Sequence, residues 1–122
     1  MTGTRGLVLL FAFALGVRVL FNVVVVGLET PGLAFNEDWR EYDAVAWALA
    51  SGEGLTWRGQ PYTCHGPAFP AFLGAVYALF GHSYAAAKIA LSVLGALTCV
   101  LIVLIGQRVF AERVGWIAGG IA

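Results

Sequence analysis

Two long apolar blocks separated by a more polar stretch organise this chain of 122 residues. The first covers residues 7–28 and the second residues 85–106, so each contains 22 residues. An α-helix rises about 1.5 Å per residue, so each block would reach roughly 33 Å, enough to cross a hydrocarbon core of about 30 Å. Each block therefore predicts one complete transmembrane helix.

A third apolar segment covers residues 114–122, and its nine residues are too few to cross a bilayer. We expect it to be the start of a third transmembrane helix. On this interpretation residues 1–122 are the N-terminal fragment of one membrane domain, whose remaining helices lie further along the same protein. The alternative is a complete small protein with two spans.

The basic residues beside the apolar blocks predict an orientation. Arg5 precedes the first block and Arg108 and Arg113 follow the second, whereas the loop between the blocks is acid-rich. The positive-inside rule places both ends of the two-span unit in the cytoplasm and residues 29–84 outside. We therefore expect a multi-pass protein of the plasma (inner) membrane, with lipid as its surroundings.

The loop at residues 29–84 predicts two short amphipathic or interfacial helices. From Asp38, apolar residues recur at helical spacing until Gly52 and Gly54 end the pattern: Tyr42, Val45, Ala46 and Leu49. Residues 71–80 form an apolar run of ten residues, with Pro70 placed to start a helix. Residues 55–62 have turn signals and predict an irregular or hairpin-like excursion. The fold class is thus an all-α integral membrane protein.

Composition agrees with the hydropathy pattern. Hydrophobic residues make up 60% of the chain and charged residues 11%, and the mean hydropathy is +0.83. Soluble domains average about 25% charged residues, so this composition excludes an ordinary soluble domain. The net charge is zero, and we expect no nucleic-acid partner. Cys64 falls in the loop and Cys99 inside the second block, which predicts two free thiols.

The acidic segment at residues 36–43 is the main candidate for chemistry, because a membrane anchor has no need for four carboxylates within seven residues. Asp38 could act as a general base, removing a proton from an incoming hydroxyl or amine. It could equally be the N-cap of a capping box completed by Glu41. The two roles are compatible, because the N-terminal end of a helix favours a negative charge.

The other polar candidates have weaker patterns. Glu37 and Asp43 could support the base or hold a divalent cation, with Cys64, His65 and His82 as further ligands, but no dedicated metal-ligand spacing joins them. We therefore predict no cofactor and no metal site, with a divalent metal as the open alternative. The breaks at Pro67 and Pro70 beside His65 could shape a substrate-facing loop or simply start a helix.

Two basic residues lie within the apolar blocks. Arg18 is near the middle of the first block, where insertion costs about 2.5–3.5 kcal/mol, so it requires a partner or a wet cavity. That partner could be a phosphate, an acidic loop residue or another helix, or the side chain could snorkel. Lys88 is near the outer end of the second block and could snorkel or contact an anionic lipid headgroup. Asn22 suits a helix-packing hydrogen bond.

Taken in order, these features resemble the N-terminal part of the polytopic glycosyltransferases that use lipid-linked sugars (the GT-C type), which include the protein O-mannosyltransferases and the aminoarabinose transferases. The resemblance covers nearly the whole chain. Its pieces are a first span with Arg18, then Asp38-x-x-x-Tyr42-x-x-x-Ala46-x-x-Leu49-x-x-Gly52-x-Gly54, Gly66-Pro67-x-x-Pro70, Phe80-Gly81 and Gly106-x-Arg108-x-Phe110.

The resemblance implies that a sugar is transferred from a polyprenyl-phosphate donor to an acceptor on the extracytoplasmic side. It makes Asp38 the general base, with Glu37 as the rival, and it implies inversion as the lipid phosphate leaves. Arg18, Lys88 and His65 are the candidates for substrate binding. The alternative function is a small non-enzymatic multi-pass membrane protein that acts as a helix-packing subunit.

Overall fold

The computed structural model describes residues 3–30 and 38–122. The chain divides into two compact units. The first, here called the helical unit, combines Met1–Val25 with Ile89–Ala122, and the second, the loop unit, is Val26–Lys88.

The described residues are mostly helical, as the sequence predicts. In chain order the elements are α1 (Thr4–Phe21), a π-helical turn (Asn22–Val26), α2 (Asp38–Ala50), β1 (Thr56–Trp57), β2 (Gln60–Pro61), α3 (Ala68–Phe80), α4 (Tyr84–Val109) and α5 (Glu112–Ile121). The short strands are the departure from an all-α fold. The prediction for residues 31–37 lies outside the described part of the chain.

Two helices are long and apolar enough to cross a membrane: Thr4–Val26, which includes the π-helical turn, and Tyr84–Val109. They confirm the two predicted long helices, with ends shifted by a few residues from 7–28 and 85–106. Only 6% of the most apolar window of the first helix and 28% of that of the second is buried. The core helix of a soluble protein would be mostly buried, whereas these helices leave large aliphatic and aromatic side chains exposed.

Within the helical unit, α1 and α4 pack through small side chains. Ala14 is buried with Ala96 and Cys99, and Leu10, Phe11 and Leu15 flank this cluster. At the end of α1, Asn22 Nδ2 donates to Ser92 Oγ over 3.2 Å and to the Arg18 carbonyl over 3.0 Å. The predicted packing role of Asn22 is confirmed.

Helix α5 packs on α4 along a glycine seam, defined here as Gly115 and Gly119. Both glycines are buried. A Cβ at Gly115 would lie 2.6 Å from the Val103 carbonyl oxygen, and one at Gly119 would lie 2.7 Å from the Cys99 carbonyl oxygen. On the facing side, a Cβ at Gly106 would lie 2.7 Å from the Cα of Gly115. The spacing of the seam is the G-x-x-x-G pattern that lets helix backbones approach closely.

In the loop unit, α2 docks on α3 through the apolar stripe that the sequence predicts. Val45 and Ala46 are fully buried. Ala46 packs with Leu73 and Tyr77 of α3, and Tyr42 lies at the edge of this cluster. The helical spacing of the apolar residues therefore explains both why α2 forms and which of its faces is buried.

The predicted glycine stop of α2 is confirmed. Gly52 has a φ of 85°, and the amide of Glu53 bonds to the Ala48 carbonyl while the amide of Gly52 bonds to that of Leu49. This pair of bonds is the Schellman motif, which satisfies carbonyls left unpaired at the helix end.

Helix α3 begins at Ala68, three residues before the predicted run of residues 71–80. Pro70 is buried in its first turn, where a missing amide hydrogen costs no helical bond. A Cβ at Gly74 would lie 3.1 Å from the Ala46 carbonyl oxygen, so the absence of a side chain lets α3 approach the backbone of α2.

The excursion between α2 and α3 is an antiparallel hairpin. Trp57 pairs with Gln60, and the two residues between them, Arg58 and Gly59, have φ values of 51° and 78°. Two positive φ values at the central positions are what a tight type I′ turn requires. The hairpin-like interpretation of residues 55–62 is therefore confirmed.

Gly115→Ala should loosen the packing of α5 on α4, because the new methyl group would overlap the backbone of α4. Overpacking of this kind costs about 1–3 kcal/mol, against a gain in helix propensity of up to about 1 kcal/mol. Thermal unfolding in detergent should show a lower midpoint for Gly115→Ala. Gly120→Ala is the matched control, since a Cβ there meets nothing within 4 Å; equal midpoints for the two variants would contradict the seam.

Candidate functional site

Asp38 is the first residue of α2 and its side chain is exposed. No hydrogen bond or ion pair joins its carboxylate to another residue of the described ranges. Glu37, the predicted rival base, lies outside the described residues. The structure thus presents Asp38 as an accessible carboxylate at the head of a helix, where negative charge is favoured.

Glu41, three residues further along α2, contacts His65. Its Oε1 lies 3.4 Å from His65 Nδ1, and the side chains are 18% and 43% exposed respectively. The capping box considered for Asp38 and Glu41 does not form, because Asp38 is already the first helical residue and the Glu41 carboxylate contacts His65. Because α2 supplies the acid and the segment before α3 supplies the histidine, the pair depends on the α2–α3 packing.

Aromatic rings surround His65. The ring centre of Tyr42 is 5.5 Å from that of His65, and the ring centre of Tyr62 is 6.4 Å away. Tyr62 is buried, and its hydroxyl faces the Glu41 carboxylate. Burial, together with the negative charge of Glu41, raises the pKa of Tyr62 to about 12, so the side chain stays a neutral phenol at physiological pH.

A second cluster forms around Asp43 on the neighbouring side of α2. Tyr77 of α3 donates its hydroxyl to Asp43 Oδ1 over 2.6 Å. His82 Nε2 lies 2.9 Å from Oδ1 and 3.1 Å from Oδ2 of the same carboxylate. We call this arrangement of Asp43, Tyr77 and His82 the clasp. Burial and the bond to Asp43 both raise the pKa of Tyr77 far above its ordinary value, which keeps it a hydrogen-bond donor.

Aromatic rings enclose the histidine of the clasp. Trp47 stacks on His82 with ring centres 5.0 Å apart and planes 25° apart, and Tyr84 meets the same ring at 5.4 Å. Tyr84 also meets Trp39, next to Asp38 in the chain, at 6.2 Å. Sequence reasoning considered Asp43 as a metal ligand or a support for the base and His82 as a metal ligand, and it missed Tyr77. Trp39, Asp43 and Trp47 are four residues apart and so lie on one face of α2, and this spacing was the sequence signal for the cluster.

Arg18 lies in the helical unit, against α4. Its guanidinium donates to the Ala14 carbonyl over 3.3 Å, to Cys99 Sγ over 3.6 Å and to the Ala122 carbonyl over 3.0 Å. A Cβ at Gly95 would lie 2.6 Å from Arg18 Nε, so that glycine makes room for the side chain. Arg18 thus has the polar partners that its position demands.

Lys88 lies in the loop unit and binds backbone carbonyls. Its Nζ donates to the carbonyls of Gly27, of Leu28 over 3.3 Å and of Thr30 over 2.5 Å. These carbonyls follow the end of the π-helical turn, where no further helical amides are present to bind them. A cation is therefore favourable at this position. The structure therefore gives Lys88 a helix-capping contact that the sequence did not predict.

The two cysteines are free, with Cys64 exposed and Cys99 buried, as the sequence predicts. In the part of the chain that the structure describes, no group of three or more His, Cys, Asp or Glu side chains is arranged to hold a metal ion. We take Asp38, Glu41 and His65 as the candidate site, because Asp38 and Glu41 share the first turn of α2 and Glu41 contacts His65.

Comparisons of the chain with family models, with curated proteins and with solved structures gave no match.

Proposed function

We propose that this chain forms the N-terminal part of a membrane glycosyltransferase, which moves a sugar from a polyprenyl-phosphate donor to an acceptor on the extracytoplasmic side. The observation that supports it best is the exposed Asp38 carboxylate, which makes no hydrogen bond or ion pair with any described residue. It heads a helix in a folded unit that lies, in sequence, between two helices of membrane-spanning length.

Membrane embedding is the first part of the proposal. The exposed side chains of α1 and α4 include Phe13, Leu20, Leu101 and Ile105, each more than half exposed. Apolar area left in water costs about 25 cal/mol per Å², so such faces require lipid or protein to cover them. In this arrangement the loop unit is extracytoplasmic and the basic residues at the ends of the helices are cytoplasmic, in the plasma (inner) membrane.

Asp38 is the base in the proposed mechanism. It takes the proton of an acceptor hydroxyl or amine, and the acceptor atom attacks the anomeric carbon of the donor. The bond from that carbon to the lipid phosphate breaks, and the phosphate leaves with the electron pair. Attack opposite the leaving group inverts the anomeric configuration.

The phosphate of the donor requires cationic or hydrogen-bonding side chains, for which His65, Arg18 and Lys88 remain the candidates. His65 is the most accessible of the three and contacts Glu41, which shares the first turn of α2 with Asp38. The charges of Arg18 and Lys88 already have polar protein partners. We therefore assign the first contact with the donor phosphate to His65.

A non-enzymatic helix-packing subunit is the second candidate. The glycine seam between α4 and α5 favours it, because it shows that these helices pack through backbone contact. Such a protein would need Asp38 only as part of a helix terminus. The effect of Asp38→Asn on sugar transfer, described below, therefore distinguishes the two functions.

The topology predicts selective labelling of Cys64. In intact cells, a membrane-impermeant maleimide should react with Cys64 because that thiol is exposed in the loop unit, whereas buried Cys99 should not react. Cys64→Ser should abolish the signal, and disrupted cells serve as the positive control. Labelling of Cys64 only after disruption would place the loop in the cytoplasm and contradict the topology.

Asp38→Asn should remove sugar transfer while leaving α2 folded, because asparagine has a similar size but cannot serve as the base. General-base catalysis contributes about 10²–10⁴-fold, so we expect turnover to fall by at least about a hundredfold. Transfer from polyprenyl-phosphate sugars should be measured with the full-length product of the gene, and circular dichroism should be unchanged. Glu53→Gln, which removes another exposed loop carboxylate, is the control. Near wild-type turnover in Asp38→Asn would rule out Asp38 as the base.

A further inference from the structure

We propose that Asp43 is a positioning residue, which fixes the first turn of α2, and hence Asp38, through the clasp with Tyr77 and His82. This inference rests on the proposed function of Asp38 for its catalytic consequence. The structural part of the proposal is that the Asp43 carboxylate fixes the first turn of α2. This part can be tested without measuring enzyme activity.

The first turn of α2 needs such a contact because apolar burial does not reach it. The buried residues of α2 are Val45 and Ala46, and its contacts with the core cluster extend from Tyr42 to Ala50. Asp38–Glu41 contains no buried residue. Helix ends without packed side chains fray, so the orientation of this turn depends on its polar and ring contacts.

The clasp reaches the first turn through a continuous series of contacts. Asp43 binds His82 through both carboxylate oxygens, and the His82 ring meets Tyr84 at 5.4 Å. Tyr84 in turn meets Trp39 edge-on at 6.2 Å, with planes 82° apart. Trp39 is the neighbour of Asp38, so the series ends beside the candidate base.

Asp43 is suited to this role because one side chain joins three segments. It is on α2, Tyr77 is on α3, and His82 is in the turn between α3 and α4. Hydrogen bonds to an ionised carboxylate are shorter and about twice as strong as neutral ones, and the 2.6 Å bond from Tyr77 is of this short kind. Loss of the carboxylate would leave both donors without their acceptor.

The four tryptophans of the chain provide a direct readout, because two flank the clasp and two do not. Trp39 and Trp47 contact Tyr84 and His82, whereas Trp57 is on β1 and Trp116 is on α5. In protein labelled with 5-fluorotryptophan and held in nanodiscs, Asp43→Ala should shift or broaden the ¹⁹F signals of Trp39 and Trp47. The signals of Trp57 and Trp116 should stay in place.

Two further variants keep this test informative if Asp43→Ala folds poorly. Asp43→Asn retains an oxygen acceptor, so it should return the Trp39 signal towards its wild-type position. His82→Ala removes the partly exposed imidazole of the clasp. It should move the Trp39 signal without disrupting the apolar packing between α2 and α3. A Trp39 signal that is unmoved in both Asp43→Ala and His82→Ala would overturn the inference.

The catalytic consequence is measured by sugar transfer with the full-length product. Small misplacement of a catalytic group costs up to about a hundredfold, so Asp43→Ala should lower kcat by about tenfold to a hundredfold with little change in the donor KM. Asp43→Asn should recover most of kcat, and Glu53→Gln should be unaffected. An unchanged kcat, or a loss confined to KM, would overturn the positioning role. If the wild-type protein transfers no sugar, the proposed function fails, and the Trp39 signal alone decides whether Asp43 fixes the first turn.

Discussion

Helices α2 and α3 approach each other most closely where Gly74 faces the backbone of α2, and the candidate side chains of the loop unit depend on that contact for their positions. A Cβ at Gly74 would lie 3.1 Å from the Ala46 carbonyl oxygen and 3.1 Å from Leu49 Cδ2. Because Gly74 and Ala46 are both small, the two backbones come close enough for Glu41 to reach His65 and for Asp43 to reach Tyr77. A bulky residue at either position would separate both pairs.

The helical unit is assembled on the same principle. Gly106, Gly115 and Gly119 bring α4 and α5 into backbone contact, and Gly95 gives Arg18 its place against α4. Apolar side chains gain little by leaving lipid for another helix, so helices in a bilayer associate through close packing and hydrogen bonds. The Asn22–Ser92 hydrogen bond and the Ala14–Ala96 contact fit this description. Close backbone approach at glycine is therefore a feature of helix packing in both units.

Much of the fold could be predicted from the sequence, because it depends on local pattern. The long helices follow from uninterrupted apolar length, α2 from the spacing of Tyr42, Val45, Ala46 and Leu49, and its end from Gly52. Asn22 was also predictable, since a polar amide in an apolar helix must find a partner. The start of α3 was placed too late because Pro70 was taken as the first helical residue rather than as part of the first turn.

The candidate site was less predictable because its contacts join distant residues. Asp43 lies 34 residues from Tyr77 and 39 from His82, and Glu41 lies 24 from His65. Local rules paired Glu41 with Asp38, three residues away, because a capping box is the usual local use of that spacing. Only the docking of α3 on α2 reveals the other partners. Asp38, by contrast, lies at the head of α2, where the sequence suggested that the helix starts.

The central claim is that the α2–α3 contact at Gly74 holds the helix that carries the candidate acids. Amide hydrogen exchange along α2 tests it most directly, with Gly74→Leu compared with Ala75→Leu, since Ala75 is on the exposed face of α3. Gly74→Leu should speed exchange throughout Asp38–Ala50 and leave α4 beyond Ile89 unchanged, whereas Ala75→Leu should leave both as they are. Exchange in α2 that stays at the wild-type rate in Gly74→Leu would contradict the claim.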